Sequence, residues 1–461
     1  MFNRIKSSKF PPALEKYALL LMLLLWAGFR LLAYGDPTLS IAGNDTITFV
    51  EASRVPLFSV EMMTGRRLLT TNLVYKIFEP ESGYQILVNG SLESSRRVLQ
   101  PGFDRIVILQ LVLSLLGWSA LAWTVASQMK NFATRVMAVL IIPAFGYTPQ
   151  VADWDSILMS EAMTFSLFAL QLALLIYLVF SLYRNPSAKL APWMVAWGVV
   201  YFFWANLRDT NNYAALVLIG LTGLTLFTPK FKKHRALIGV VVFAAILFVV
   251  GLVTFQQSGR SLLSTINIYI SDIFPHPARV EYMKGLGMPE PDTREFDIWF
   301  KEHGVAAVTR FIFAHPGYAL DKLARDFPES FKKINQTYFH VPEMKVFRAR
   351  LTAFGESLHP ETSTPFLMGL LLLAGLIFAA ITGRTETAQP WAWIGVYLVL
   401  AATIAIIPTI LGDTWALSRH SLYSTTVYRL SMWLLAVVTV DLALQWEDTS
   451  GRTSIIEGAA S

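Results

Sequence analysis

Ten apolar stretches alternate with polar segments along the 461-residue chain. Since about 20 apolar residues let a helix cross a bilayer, the pattern predicts an all-α polytopic membrane protein. One stretch contains Pro143 and another is only 191–206, so the expected number of transmembrane helices is about ten, with a range of nine to twelve. The predicted spans are 17–35, 103–128, 133–149, 156–183, 191–206, 212–228, 236–255, 364–383, 390–411 and 424–446.

Composition agrees with a chain that lies mainly in lipid, since 54% of the residues are hydrophobic and 15% are charged. The basic leader 1–16 and the following apolar stretch resemble a secretory signal, but no small-x-small cleavage site follows. We therefore expect a retained signal anchor. Cysteine is absent, which excludes disulfide and thiol chemistry without identifying the compartment.

Basic residues predict the orientation of the chain in the membrane. If the N-terminus is cytoplasmic, 14 Lys and Arg residues flank the spans on the cytoplasmic side, while the short outer loops 150–155, 207–211 and 412–423 hold only Arg208 and Arg419. This asymmetry follows the positive-inside rule and predicts that both termini are cytoplasmic. The 14 residues are Arg4, Lys6, Lys9, Lys16, Lys130, Arg135, Arg184, Lys189, Lys230, Lys232, Lys233, Arg235, Arg384 and Arg452.

Two long polar segments, 36–102 and 256–363, then lie on the outer face. The second carries 13 basic and 13 acidic residues, so the net charge of +6 belongs to the inner loops. That charge suits an anionic inner leaflet and not nucleic acid. Periodicity predicts short helices within 295–333 and interfacial helices at 46–53 and 68–78.

The resulting organisation has seven parts. They are a cytoplasmic leader (1–16), the first transmembrane helix (17–35), an outer loop with interfacial helices (36–102), transmembrane helices two to seven (103–255), an outer-face helical module (256–363), transmembrane helices eight to ten (364–446) and a cytoplasmic tail (447–461).

Asp45 is the first candidate for chemistry, because it follows the first span by about ten residues in the segment Asn44–Ala52. A carboxylate at the lipid–water boundary can take a proton from a hydroxyl if its surroundings tune its pKa. The alternative is that Asp45 only caps the helix predicted at 46–53.

Asp155 and Glu161 form the second candidate, where the chain enters the fourth span. A helix that begins near Asp155 places Glu161 roughly 9 Å along its axis and inside the bilayer, where a carboxylate needs a polar cavity or a partner. The alternative is a capping role for Asp155 and a structural ion pair for Glu161, for example with Arg30.

Arg208, Arg419 and His420 lie in the outer loops, and Arg429 follows about one turn inside the tenth span. The guanidinium group offers a planar donor fork that suits phosphate, so these arginines could hold a lipid-borne phosphate. The alternative is snorkelling or a local pair, Arg208 with Asp209 or Arg419 with Asp413.

The arrangement resembles the GT-C superfamily of integral-membrane glycosyltransferases, which includes protein O-mannosyltransferases and the aminoarabinose transferase of lipid A. The resemblance rests on an acidic residue in an Asp-x-x-x-aromatic setting after the first span, followed by interfacial helices and many further spans. The segments Trp154–Glu161, Gly285–Pro289 and Arg419-His420 also resemble bacterial members of that group.

The resemblance implies a GT-C-like bundle in which Asp45 is the catalytic base. It also implies that Asp155, Glu161, Arg208, Arg419 and His420 bind substrate, the two acids orienting the sugar or the base and the three cationic groups assisting departure of the phosphate. Family members usually have Tyr where Phe49 stands and often a second acid where this chain has Asn44. No cofactor is required by the sequence, and this difference leaves dependence on a divalent metal open.

The expected activity is transfer of a hexosyl or pentosyl group from a polyprenyl-phosphate donor to a hydroxyl on the outer face of the bacterial inner membrane. The acceptor would be an envelope glycan, lipid or protein. A transporter or lipid flippase is the alternative, although such proteins usually show internal repeats, which are not found here. A polysaccharide ligase or polymerase would share the donor and differ in the acceptor.

Overall fold

A computed structural model describes residues 11–87, 89–90, 97–232, 234–332, 345–383 and 385–459. The basic residues Arg4, Lys6, Lys9, Lys233 and Arg384, and the side chain of Arg452, lie outside this description. The α-helices are α1 (Pro12–Ala33), α2 (Thr46–Ser53), α3 (Glu61–Thr64), α4 (Leu69–Ile77), α5 (Asp104–Gln128), α6 (Phe132–Tyr147), α7 (Pro149–Ala152), α8 (Ser160–Arg184), α9 (Ala191–Ala205), α10 (Asp209–Asn212), α11 (Ala214–Leu226), α12 (Arg235–Ser258), α13 (Arg260–Ile268), α14 (Pro277–Gly285), α15 (Arg294–Trp299), α16 (Val305–Ala314), α17 (Pro316–Glu329), α18 (Lys345–Leu358), α19 (Thr364–Thr382), α20 (Ala388–Gly412), α21 (Leu417–His420) and α22 (Leu422–Ala459).

Short elements of other types join these helices. Two 3₁₀ turns lie at Asp153–Ser156 and Pro229–Phe231, and two π-helical turns at Tyr269–Ile273 and Phe300–Gly304. Strand β1 (Leu39–Ser40) pairs antiparallel with β4 (Val98–Leu99), and β2 (Ala42–Gly43) pairs in parallel with β3 (Asn89–Gly90).

The protein is an all-α polytopic membrane protein, as the apolar pattern predicts. Seven helices of the described residues are long and apolar enough to cross a bilayer, or up to eight if α6 and the segment that follows it form one bent span. Each of the ten predicted spans matches a helix, but α9 has 15 residues and α11 has 13. Both are shorter than the roughly 20 residues of a complete crossing, so the predicted number of ten exceeds the number of full-length spans.

Helix α8 is at the centre of the bundle and is buried along most of its length. It packs closely on α5 because Gly117 leaves no side chain between the two backbones. A Cβ atom at this position would lie 2.3 Å from the carbonyl oxygen of Ser166. Small residues commonly allow such close helix contacts in membranes, and the contact holds the N-terminal part of α8 against α5.

The bundle has two chemically different ends. At the end that we call the basic end, Arg135 of α6 pairs with Glu15 at 3.1 Å, and Arg184 of α8 donates to Gln128 at 2.8 Å. Asp441 of α22 accepts hydrogen bonds there from the first turn of α6. The opposite end, where α1 and α6 finish and α8 begins, carries the strands and most of the short helices.

Between α6 and α8 the chain breaks and turns at Thr148. The segment Pro149–Ser156 bends 48° away from α6 and is buried. Pro143 lies within α6 and Pro149 begins α7, so both prolines remove backbone donors where the regular helix would otherwise continue. The bend brings Asp153 and Asp155 into the protein interior.

The segment predicted as one outer module, 256–363, has two parts. Residues of α13 to α17 form a small apolar core of their own around Tyr269, Phe296 and Phe311. In contrast, α18 packs on α6 and α7, where Arg348 pairs with Asp153. The several short helices expected within 295–333 are present as α15, α16 and α17.

Candidate functional site

Asp45 immediately precedes α2, whose bounds match the predicted 46–53. Its side chain accepts no capping hydrogen bond from the helix. Its Oδ1 atom pairs instead with Arg67 at 3.0 Å, and Arg67 also donates to Thr48 at 2.6 Å and lies over the ring of Phe49. The carboxylate is therefore held by a tertiary ion pair and does not cap the helix.

Arg419 connects the acidic residues Asp45 and Glu161. It donates to Oδ2 of Asp45 and, through Nε, to Glu161 at 3.2 Å. Arg419 lies on the single turn α21, which follows Ala416 in a left-handed conformation with φ of 47°. A non-glycine residue in this region is strained, and such strain persists where the surrounding structure fixes it.

Arg208 also pairs with Glu161, and its Nη1 atom lies 3.7 Å from the Glu161 carboxylate. Its sequence neighbour Asp209 pairs instead with Arg260, at 2.8 and 3.0 Å. Neither local pair considered from the sequence is present, since Arg419 likewise turns away from Asp413. Glu161 is almost fully buried, so two guanidinium groups compensate a charge that would otherwise be costly at this depth.

These side chains line one cavity of about 630 Å³ at the end opposite the basic end. Its charged lining consists of five arginines and four acidic residues, with one histidine. Since the arginines outnumber the acids by one, the cavity favours an anion. The ionisable lining residues are Asp45, Arg66, Arg67, Glu161, Arg208, Asp209, Arg260, Asp413, Arg419 and His420.

Many lining residues of the cavity are apolar. They are side chains from the end of α12 and from α13, α16 and α20. The cavity thus combines apolar and cationic lining residues, as an amphipathic ligand would require. The main apolar residues are Phe255, Leu263, Ile268, Val305, Val308, Ile312, Pro408 and Leu411.

The arginines also set the protonation of Asp45. Burial alone would raise the pKa of the Asp45 carboxyl, but Arg419 and Arg67 outweigh it and hold the pKa below its usual range. For Arg419, burial acts to lower the pKa, and Glu161 and Asp45 more than offset this, so its pKa is raised. The ionised pair is therefore the stable state at neutral pH.

His420 and Asp413 form a second polar pair in the same cavity. Nδ1 of His420 lies 2.7 Å from Oδ2 of Asp413, and Oδ1 accepts a hydrogen bond from Asn267 at 3.1 Å. Burial acts to raise the pKa of Asp413, but His420 and the hydrogen bonds to the carboxylate lower it by more. The carboxyl therefore has a pKa below its usual range.

Asp155 does not line the cavity. Its carboxylate pairs with Arg30 at 2.9 Å, both side chains being 4% exposed, and Arg30 also donates to the backbone of Ala152. Arg30 is thus the partner of Asp155 and not of Glu161. The chain bend before α8 explains the difference, because it turns Asp155 towards α1 while Glu161, on the first turn of α8, faces the cavity.

Arg429 is also outside the cavity, where it donates to the backbone oxygens of Phe331 and Pro360. The structure therefore brings together Asp45, Glu161, Arg208, Arg419 and His420 and leaves Asp155 apart. Among the residues described, no group of three or more histidine and acidic side chains is arranged to hold a metal ion.

The sequence did not identify three residues that line this cavity, Arg67, Arg260 and Asn267. It also did not identify Asp413 as the partner of His420. The paired arginines Arg66 and Arg67 stand between two predicted interfacial helices, which is a signal that could have identified them. Arg260 and Asn267 lie in a long segment with many charges, where nothing in the sequence distinguishes them.

Comparison with known proteins gives little further information. No protein family profile matches the chain, and no curated protein does. Three structures of the oligosaccharyltransferase of Archaeoglobus fulgidus are similar to it. The apo form has a TM-score of 0.46 and 11% identity, and the match covers 97% of this chain and 53% of that chain. A form tethered to an acceptor peptide has a TM-score of 0.45 and 11% identity, with 94% of this chain and 50% of that chain covered, and AglB with an inhibitory peptide and a dolichol-phosphate has a TM-score of 0.44 and 13% identity, with 95% and 52% covered. The chain spans about half the length of these structures, and TM-scores at this level do not establish a common fold.

Proposed function

We propose that this protein is a membrane glycosyltransferase of the GT-C type that moves a sugar from a polyprenyl phosphate to an acceptor hydroxyl. The observation that carries the proposal is the meeting of Asp45, Glu161, Arg208 and Arg419 in one cavity. These residues come from four separate segments of the chain, and a site with a carboxylate beside several guanidinium groups suits transfer of a group from a phosphate leaving group.

The apolar lining residues support a donor linked to lipid. A soluble sugar phosphate would need only the charged lining residues, whereas a polyprenyl phosphate places a long hydrocarbon chain next to its charge. The side chains of Leu263 on α13 and Pro408 on α20 line the same cavity as Arg208. Such a cavity accommodates a lipid-linked phosphate better than a free one.

The position of the cavity supports an outer-face active site. It lies at the end of the bundle opposite Arg135 and Arg184, and basic residues beside spans remain in the cytoplasm. Nucleotide sugars are cytoplasmic, so a site on the outer face would depend on a donor that is carried by lipid. The proposed location is the bacterial inner membrane, with both termini in the cytoplasm.

In the proposed reaction Asp45 takes the proton of the acceptor hydroxyl as that oxygen attacks the sugar carbon. The bond between this carbon and the phosphate oxygen breaks, and Arg208 and Arg419 stabilise the charge that develops on the phosphate. Both Asp45 oxygens are held by guanidinium groups before substrate binds. A donor phosphate that competes for Arg419 would free Oδ2 and strengthen the base, so we propose that donor binding prepares Asp45 for proton transfer.

The proposal is tested with purified protein in liposomes that contain polyprenyl-phosphate sugars with a radioactive sugar. A bacterial envelope extract, including glycans, lipids and proteins, supplies the acceptor. We expect the label to move covalently to an acceptor only when the protein is present. Label that crosses the bilayer while still attached to its lipid would identify a flippase instead.

A further inference from the structure

The Asp413 side chain is held in one orientation by four hydrogen bonds. Its Oδ1 atom accepts from the backbone nitrogens of Thr414 and Trp415, at 2.7 and 2.9 Å, and from Asn267 at 3.1 Å. Its Oδ2 atom lies 2.7 Å from Nδ1 of His420. Because an ionised carboxylate only accepts hydrogen bonds, Nδ1 of His420 must carry the proton that joins the pair.

The other ring nitrogen of His420 is available. Nδ1 faces Asp413, so Nε2 lies on the opposite side of the ring, where it has no hydrogen-bond partner among the described residues. His420 lines the cavity beside Arg419, and its side chain is 32% exposed. An imidazole with one nitrogen fixed by a carboxylate and the other directed to a site is the usual arrangement for proton transfer.

The loop does not need His420 for its own stability. The backbone nitrogens of Arg419 and His420 both donate to the oxygen of Ala416, at 2.9 and 3.0 Å, and close the turn without the imidazole. Asp413 likewise accepts hydrogen bonds through its Oδ1 atom from the backbone of the two residues that follow it. Backbone hydrogen bonds and Asp413 therefore hold the loop, and the imidazole of His420 is free to carry a proton.

We propose that His420, positioned by Asp413, is a general acid that protonates the departing lipid phosphate. This inference rests on the proposed glycosyl transfer and adds to it a second proton-transfer group. Arg419 and His420 line the same cavity, so one bound phosphate can contact both side chains. The imidazolium form, which carries protons on both ring nitrogens, is the form that donates.

Atoms and charges balance in the proposed step. The electron pair of the bond between the sugar carbon and the phosphate oxygen stays on phosphate, and the acceptor oxygen forms the new bond to carbon. The acceptor proton passes to Asp45, and the proton on Nε2 of His420 passes to a phosphate oxygen. His420 is left neutral with Nδ1–H still on Asp413, and exchange of protons with water restores both residues for the next turnover.

The first test measures binding of the leaving group, undecaprenyl phosphate, to the full-length protein in detergent. We expect His420→Gln to bind it roughly 10- to 100-fold more weakly, because a charge-assisted hydrogen bond is lost. His303→Gln is the matched control, since His303 is exposed on the module of α13 to α17 and should bind like the wild type. If His420→Gln also binds like the wild type, the inference is wrong while the proposed function stands; if the wild type itself does not bind undecaprenyl phosphate, both fail.

The second test uses chemical rescue, which a structural role of His420 would not show. His420→Ala should transfer sugar at least 10²-fold more slowly than the wild type, and added imidazole should restore part of the rate. Pyrazole, which has a similar shape but is not protonated near neutral pH, should restore none. With Asp413→Asn in addition, rescue by imidazole should fall, because nothing holds the added ring; equal rescue by imidazole and pyrazole would contradict the acid role.

Discussion

The guanidinium of Arg419 donates a hydrogen bond to the carboxylate of Asp45, although the two residues are 374 positions apart in the sequence. Asp45 follows the first membrane helix, and Arg419 precedes the last one. Both residues line the cavity, and their contact joins the beginning of the fold to its end. It also keeps Asp45 ionised before substrate is present.

The first prediction concerns the arginines that would bind donor phosphate. Replacing Arg419 or Arg208 with Lys keeps the charge but removes the planar fork, so we expect the KM for the polyprenyl-phosphate donor to rise about tenfold or more. The same substitution at Arg310, which is exposed on α16, is the control and should leave the KM unchanged. Equal KM values in all three variants would assign Arg208 and Arg419 to structure alone.

The second prediction separates Asp155 from the site. Asp155→Asn leaves Arg30 buried without its counter-charge, so we expect it to destabilise the protein by about 3–5 kcal/mol, measured as a lower thermal unfolding temperature. The donor KM of the folded fraction should not change. Glu329→Gln is the control, because this exposed pair with Lys332 should contribute about 1 kcal/mol or less. A raised KM for Asp155→Asn at unchanged stability would show instead that Asp155 contributes to substrate binding.

Membrane orientation gives the third prediction. The chain contains no cysteine, so single cysteines introduced by mutation report accessibility without background. Ser82→Cys and Thr362→Cys should react with an impermeant maleimide added to intact spheroplasts, whereas Ser187→Cys should react only after lysis. These three positions are exposed. Reaction of Ser187→Cys in intact spheroplasts would place the cavity on the cytoplasmic face.

The fourth prediction follows from the lowered pKa of Asp45. A carboxyl with a lower pKa in the folded state stabilises the protein above its unfolded pKa of about 3.9, and this contribution is lost as the pH falls through the folded pKa. The difference in unfolding temperature between wild type and Asp45→Asn should therefore be constant from about pH 5 to 8 and shrink below about pH 4. A difference that grows towards acid would contradict the ion pairs of Asp45.

Much of the fold follows from sequence because it depends on local properties. Apolar length predicts where the helices lie, and α2 and α4 begin and end within one residue of their predicted bounds. The ion-pair partner of each charged residue does not follow from local properties, because tertiary packing determines it. Arg208 stands beside Asp209 in the sequence but pairs with Glu161, and the bend before α8 directs Asp155 to Arg30, which no periodicity could indicate.

The central claim is that Asp45 takes a proton during glycosyl transfer, and Asp45→Asn tests it most directly. The amide keeps the shape of the side chain but cannot accept the proton, so transfer from a lipid-linked donor should fall by about 10²- to 10⁴-fold, while thermal unfolding shows that the protein remains folded. Glu51→Gln, an exposed change on the same helix, should retain nearly full transfer. Near-normal transfer by folded Asp45→Asn would contradict the account.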